Sequence, residues 1–202
     1  LGVVENDSKF RDFVNLALMD MWAKGEYQKI YEKSVSQKQT VEIVKVLYRG
    51  AKILITGVTG QVATPIARAL AADNEVWGVA RFNNPQAQQG LEQAGVRCAA
   101  VNLAVGDFSA LPTDFDYVVN LAVAKTGRWD KDLAANAESV GLLMAHCREA
   151  KAFLHTSSAA VYDPPGDEPR SESAALGDNH KHLFPTYSIS KIAGETVVRT
   201  MS

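Results

Sequence analysis

KILITGVTGQVATPIARAL, residues 52–70, decides the fold. Ile53, Leu54, Ile55 and Thr56 form the kind of apolar, β-branched run that a fully buried strand needs. Gly57 and Gly60 then let the chain turn sharply with no Cβ in the way. The stretch that follows, QVATPIARALAA, has its apolar residues at helical spacing, and Pro65 falls near the first turns, where a missing N–H is least felt. A strand that runs through glycines into a helix aims free N–H groups and a positive dipole end at whatever lies over the turn. That arrangement suits a phosphate.

Downstream, the same alternation repeats. EVWGVAR (75–81) reads as a second strand, PQAQQGLEQAG (85–95) as a helix ending on Gly95, and VRCAAVNL (96–103) as a third strand. DYVVNLA (116–122) is the fourth and AFLHTSSAAVY (152–162) the fifth, with one long helix, DKDLAANAESVGLLMAHCREA (130–150), between them. SISKIAGETVVRTM (188–201) is the last helix. Strand and helix in regular alternation make an α/β chain with a parallel, doubly wound sheet.

Upstream, the pattern is different. Asp7 or Ser8 can cap a helix with Phe10, Phe13, Val14, Ala17, Leu18, Met21 and Trp22 on one face, broken at Gly25. EYQKIYEK (26–33) makes a further short helix and SVSQKQT (34–40) a polar linker, while TVEIVKVLY (40–48) fits strand or helix equally. The expected organisation is a helical extension over 1–34, a linker over 35–50 and a Rossmann-like domain over 51–202.

Bulk properties narrow the function. The 202 residues are 47% apolar and 22% charged, which is globular composition. A net charge of −2 argues against a general nucleic-acid or membrane-surface binder. Cys98 and Cys147 provide neither a disulfide framework nor a metal cluster. No apolar run approaches the roughly 20 residues of a membrane span, and no basic-then-apolar leader is visible, so the expected location is the cytoplasm.

Three positions point to chemistry. The end of the second strand of such a sheet reads the adenosine ribose, with an acid for a 2′-hydroxyl or an arginine for a 2′-phosphate. Here the sequence is Val79-Ala80-Arg81-Phe82, so Arg81 favours NADP(H), with NAD(H) possible; the plainer reading is a solvated loop arginine. Tyr187 and Lys191, four apart in PTYSISKIAGE (185–195), share one helix face. A lysine ammonium beside a phenol favours the phenolate, so the tyrosine can exchange a proton with a substrate hydroxyl while a nicotinamide handles the hydride. Thr156, Ser157 and Ser158 end the fifth strand at the carboxyl edge, where open α/β sheets place their sites.

These pieces, in this order, resemble the short-chain dehydrogenase/reductase superfamily, and within it the extended branch of NAD(P)-dependent epimerase/dehydratases that act on nucleotide sugars. TGVTGQVA is similar to the T-G-x-x-G-x-x-G fingerprint, with Ala63 in place of the third glycine. The resemblance implies cofactor contacts from Gly57, Thr59, Gly60, Gln61 and Val62 in that turn and from Leu121, Ala122 and Val123 in NLAVA. It implies further contacts from Asn102, where the branch often has an aspartate, from Leu103, and from Asn136 in DLAANAESVG. SSAAVY is similar to S-S-x-x-V-Y, which implies that Ser158 is the catalytic hydroxyl. Tyr187 and Lys191 match the catalytic pair, which also contacts the cofactor, and Glu195 matches the acid that follows it.

The function so implied is hydride transfer between nicotinamide and a nucleotide-sugar-like hydroxyl or ketone, with a possible homodimer and no metal. A dinucleotide-binding module or fragment without turnover is the alternative. Branch members run on past the tyrosine helix, so a chain ending at Ser202 is expected to be truncated. His180 and His182 are expected to be solvated, and the loop Asp163–Gly166 to lie over the substrate side. Residues 2–33, with G-x-Y-x-x-I-Y at 25–31, resemble the C-terminal end of a periplasmic amino-acid-binding protein of the glutamate/glutamine type. Without that protein's lobes, no solute binding is implied.

Overall fold

The computed structural model describes residues 49–163, 170–178 and 181–202. The expected extension over 1–34, with the resemblance it carries, and the linker up to residue 48 lie outside the described residues. So do His180 and residues 164–166 of the loop expected over the substrate side.

Five parallel strands form one sheet: β1 (Lys52–Thr56), β2 (Glu75–Ala80), β3 (Arg97–Ala100), β4 (Tyr117–Asn120) and β5 (Ala152–His155), in the order β3-β2-β1-β4-β5. The helices are α1 (Ala63–Leu70), α2 (Pro85–Glu92), α3 (Trp129–Leu133), α4 (Ser139–His146) and α5 (Tyr187–Met201). This is the Rossmann-like order, with the strand sequence reversing at β1.

Alternation along the strands divides the core between two faces. Ile53 and Ile55 pack with Ile66, Ala67 and Leu70 of α1 and Leu91 of α2. Leu54, Val79 and Val118 face the other way, against Phe108, Leu111, Phe115, and Leu143 and Cys147 of the α4 layer. Ile53, Leu54 and Ile55 have no exposed surface; burying each is worth about 1.5–3 kcal/mol. α2 begins as its sequence prescribes, with the Asn84 side chain accepting from the Gln86 and Ala87 N–H groups and Pro85 in first position.

Two expectations are corrected. The long helix over 130–150 is interrupted, because Ala134–Glu138 forms a π-helical turn between α3 and α4. The third and fifth strands are also shorter than their apolar runs. They stop at Ala100 and His155, and single 3-10 turns follow at Leu103–Val105 and Ala159–Val161. Beyond these points the chain leaves the sheet and builds its carboxyl rim, which periodicity alone cannot distinguish from more strand.

Candidate active site

Register brings Val79, Thr56, Asn120 and His155 into one row at the carboxyl edge of β2, β1, β4 and β5. The Thr56 hydroxyl donates to Asn120 Oδ1 (2.5 Å) and accepts from the Leu121 and Ala122 N–H groups (3.1 Å each). Since Asn120 Oδ1 is an acceptor, its Nδ2 donates to His155 Nδ1 (2.9 Å), so the proton of His155 sits on Nε2. Burial, reinforced by Lys191, pushes the imidazole down to about 3 and keeps it neutral. The row pins the start of the Leu121–Ala124 segment beside the glycine turn.

The turn itself is close-fitted. Gly57 has φ +64°, and a Cβ there would lie 2.8 Å from Ala122 Cα and 3.0 Å from Ala122 N. Only glycine permits both the left-handed backbone and the approach. No side chain caps the N-terminus of α1, and its first turn holds no acidic residue, which leaves it suited to an anion. Beyond β2, Phe82 is the one positive-φ non-glycine among the described residues (φ +47°), and it packs on the core beneath.

A cavity of about 720 Å³ opens over these features. It gathers nine of the residues expected at the cofactor: Gly57, Thr59, Gly60, Arg81, Asn102, Leu103, Leu121, Ala122 and Val123. Among the described residues, three cations line it, Arg81, Lys125 and Lys131, and no carboxylate does. A tight glycine cradle, an uncapped helix start and an acid-free basic rim fit a dinucleotide with its pyrophosphate. Gln61 and Val62 are exposed at the entrance to α1 and do not line the cavity. Asn136 lies beneath it, buried and fully hydrogen-bonded.

Tyr187 opens α5, half-buried, with its ring edge-on to Phe184 at 6.0 Å between centroids. Lys191, one turn on, is 3% exposed and its Nζ donates to the Thr156 carbonyl at 2.5 Å. Burial pushes this lysine down to about 8; Glu195 opposes that shift and Lys125 adds to it. The Ser157 hydroxyl donates to Glu195. Ser158 Oγ accepts from the Ala160 N–H at 3.2 Å, capping the 3-10 turn, so its own proton stays available to donate. Neither Ser158, Tyr187 nor Lys191 lines the cavity, but a residue that does reaches the ring of Tyr187. Lys125 Nζ stands 4.4 Å from the Tyr187 ring centroid and 4.9 Å from that of Phe184.

Sequence reasoning missed Lys125, Asp132 and Thr186, and it gave Thr56 and Asn120, the first residues of TGVTGQVA and NLAVA, no role at the site. The signal for Thr56 and Asn120 was present, since each is a polar residue at the last position of an apolar strand. Asp132 is fully buried, and nothing in a charged DKDL stretch marks which acid turns inward. Of the two expected histidines, His182 is exposed. Among the described residues, no helix is long and apolar enough to cross a membrane.

The profile of the NAD dependent epimerase/dehydratase family matches residues 53–202. No curated protein matches the chain. Among solved structures, a UDP-glucuronic acid 4-epimerase from Bacillus cereus, in complex with NAD and a UDP-sugar, superimposes with TM-score 0.61 at 24% identity, covering 74% of this chain and 52% of its own. A UDP-N-acetylglucosamine 4-epimerase from Methanobrevibacter ruminantium gives 0.63 at 20%, covering 76% and 51%. The Bordetella bronchiseptica enzyme WbmG, in complex with NAD, gives 0.62 at 20%, covering 75% and 50%. At these identities the likeness establishes the shared fold. The chain spans about half the length of the solved structures it matches.

Proposed function

We propose, for a chain that belongs to the NAD dependent epimerase/dehydratase family, that residues 51–202 form a nicotinamide-dinucleotide domain of an oxidoreductase or epimerase acting on a nucleotide sugar. One observation carries the reading: a single cavity combines the Gly57–Gly60 cradle with an acid-free basic rim, and its Lys125 touches the ring of Tyr187. The structures named above that hold NAD and UDP-sugars support the ligand class.

When bound, the nicotinamide ring gives or takes a hydride. The rest falls to the chain. Gly57 and Gly60 admit the pyrophosphate close to the backbone, and the open start of α1 stabilises its charge. Arg81, at a strand end with no acid, receives a 2′-phosphate, which makes NADP(H) the favoured form and NAD(H) the weaker one. Tyr187 gives or removes the proton at the substrate oxygen. Ser158 keeps its hydroxyl proton free to hold that same oxygen. Lys191, fixed on the Thr156 carbonyl, supplies positive charge near the phenol from a position one helical turn away.

The test has two steps. Fluorescence titration with NADPH and with NADH should give saturable binding, tighter for NADPH; a folded chain that binds neither refutes the reading. Tyr187→Phe should then lower turnover of a nucleotide-sugar substrate roughly 100-fold or more, the usual worth of a general acid–base group, with cofactor affinity unchanged. Binding without any turnover, in the parent chain as in the variant, would leave a dinucleotide-binding module.

A further inference from the structure

Two buried side chains near the start of the α3–α4 segment stand four residues apart and make matching connections. Asp132, with no exposed surface, accepts from the Thr126 and Gly127 N–H groups (3.0 Å each) and from the Thr126 hydroxyl (2.8 Å). On its other side it accepts from the Thr186 hydroxyl. Asn136 accepts from the Ala124 N–H (2.7 Å) and donates to the Ala124 carbonyl (2.8 Å) and to Ser190 Oγ (3.0 Å).

Thr186 and Ser190 are themselves four apart, at the entrance and first turn of α5, and both are buried. The result is a ladder of two rungs, Asp132–Thr186 and Asn136–Ser190. Each rung ties the cavity-lining segment around Ala124–Gly127 to the helix that carries Tyr187. Tyr187 follows Thr186 directly and lies between the rungs. Lys125 lies between the two residues held, Ala124 and Thr126, and its ammonium meets the Tyr187 ring.

The upper rung is unusual in being charged. A buried carboxylate is costly unless its oxygens are satisfied. Burial is the largest influence on Asp132 and pushes its carboxyl up. The bonds from Thr186, Thr126 and Gly127 together outweigh that and hold it below the ordinary carboxylate range. The group is therefore an anion held by charge-assisted hydrogen bonds, which are stronger than neutral ones. Closing the Thr126–Arg128 turn does not require it, since the Thr126 hydroxyl already accepts from the Arg128 N–H at 3.2 Å and Gly127 (φ +72°) makes the bend. What the carboxylate adds is the connection to Thr186.

We propose that Asp132 is a positioning residue, whose carboxylate binds the Thr126–Gly127 turn and Thr186 together and so fixes Tyr187 against Lys125 and the cavity. The inference rests on the reading of Tyr187 as the proton-handling group over a dinucleotide site. Asn136 then acts through Ala124 and Ser190 rather than by touching the cofactor.

The experiment perturbs one end of the rung and observes the other. Thr186→Val keeps the shape and removes the hydroxyl; Thr186→Ser restores it. In Thr186→Val, hydrogen exchange at the Thr126 and Gly127 amides should quicken about tenfold or more, the low end of what a hydrogen bond to a charged group is worth, while the strand amides keep their protection. Affinity for whichever of NADPH and NADH the parent binds tighter should fall by about the same factor, and Thr186→Ser should recover both. Unchanged exchange at these two amides, a general loss of protection, unchanged affinity for that dinucleotide, or a serine variant as impaired as the valine one would each overturn the proposal. A parent chain that binds neither NADPH nor NADH would sink the dinucleotide reading and with it Tyr187's part in the proposal; the exchange comparison would still show whether the rung exists.

Discussion

Gly194 sits in the middle of α5, where alanine should be better. Replacing an interior helical glycine by alanine gains about 0.8–1 kcal/mol in propensity. The structure predicts the opposite sign. A methyl at Gly194 would lie 2.4 Å from the Asn136 carbonyl oxygen and 3.3 Å from His155 Nε2. The first is a backbone atom in the π turn, so no side chain can swing away. Restoring ordinary contact needs a shift of roughly 1 Å between α5 and that turn, and such overpacking costs about 1–3 kcal/mol, sometimes more. The same shift stretches the Asn136–Ser190 bond, worth about 1 kcal/mol. Gly194→Ala should therefore destabilise by about 1–3 kcal/mol net. Gly141→Ala is the control. Its methyl would meet only Val197 Cγ1 at 3.0 Å and Met201 Sδ at 3.3 Å, side-chain tips that can give, so the change should stay within about 1 kcal/mol of neutral. Urea unfolding of both, with m-values unchanged, checks the pair. A Gly194→Ala protein more stable than its parent would refute the close approach of α5 to the π turn.

Two pH effects follow from the buried bases. Lys191 has its folded value depressed to about 8, chiefly by burial, against an ordinary 10.5. Below pH 8 the buried ammonium lowers stability, and stability rises as pH climbs from about 8 towards 10.5, by at most about 1.4 kcal/mol per unit. The thiols of Cys98 and Cys147, both raised by burial, remove stability above about pH 9 in parent and variant alike, so the lysine is read as a difference. Between pH 7 and 9 the urea midpoint of the parent should rise relative to that of Lys191→Met. His155 is depressed to about 3 from 6.5 by burial and then by Lys191, so its contribution is complete above pH 6.5 and is lost as pH falls towards 3. Between pH 6.5 and 5, before most carboxylates titrate, His155→Gln should show a shallower loss of stability than the parent; an equal slope would mean the imidazole is not held neutral.

The strand–glycine–helix stretch at 52–70 carried the fold in its own residues. An apolar β-branched run, two glycines and an amphipathic helix allow few alternatives, and their repetition downstream makes a parallel sheet the solution that buries every face. The cavity's glycine turn, Arg81 and the Leu121–Val123 segment were legible for the same reason, since each lies next to a strand end and needs only local chemistry to be noticed. Tertiary structure decided what depends on elements far apart in sequence. The amide of Asn136 is occupied by Ala124 and by Ser190, the latter 54 residues away, and nothing near it in sequence announces either partner. Asp132 is one acid among several in DKDLAANAE until Thr186, also 54 residues away, brings a hydroxyl to it. Lys125 is an ordinary loop lysine until α5 lays the Tyr187 ring beside it. Periodicity records which face of an element is buried; which distant partner a buried polar group finds is fixed only when the layers pack.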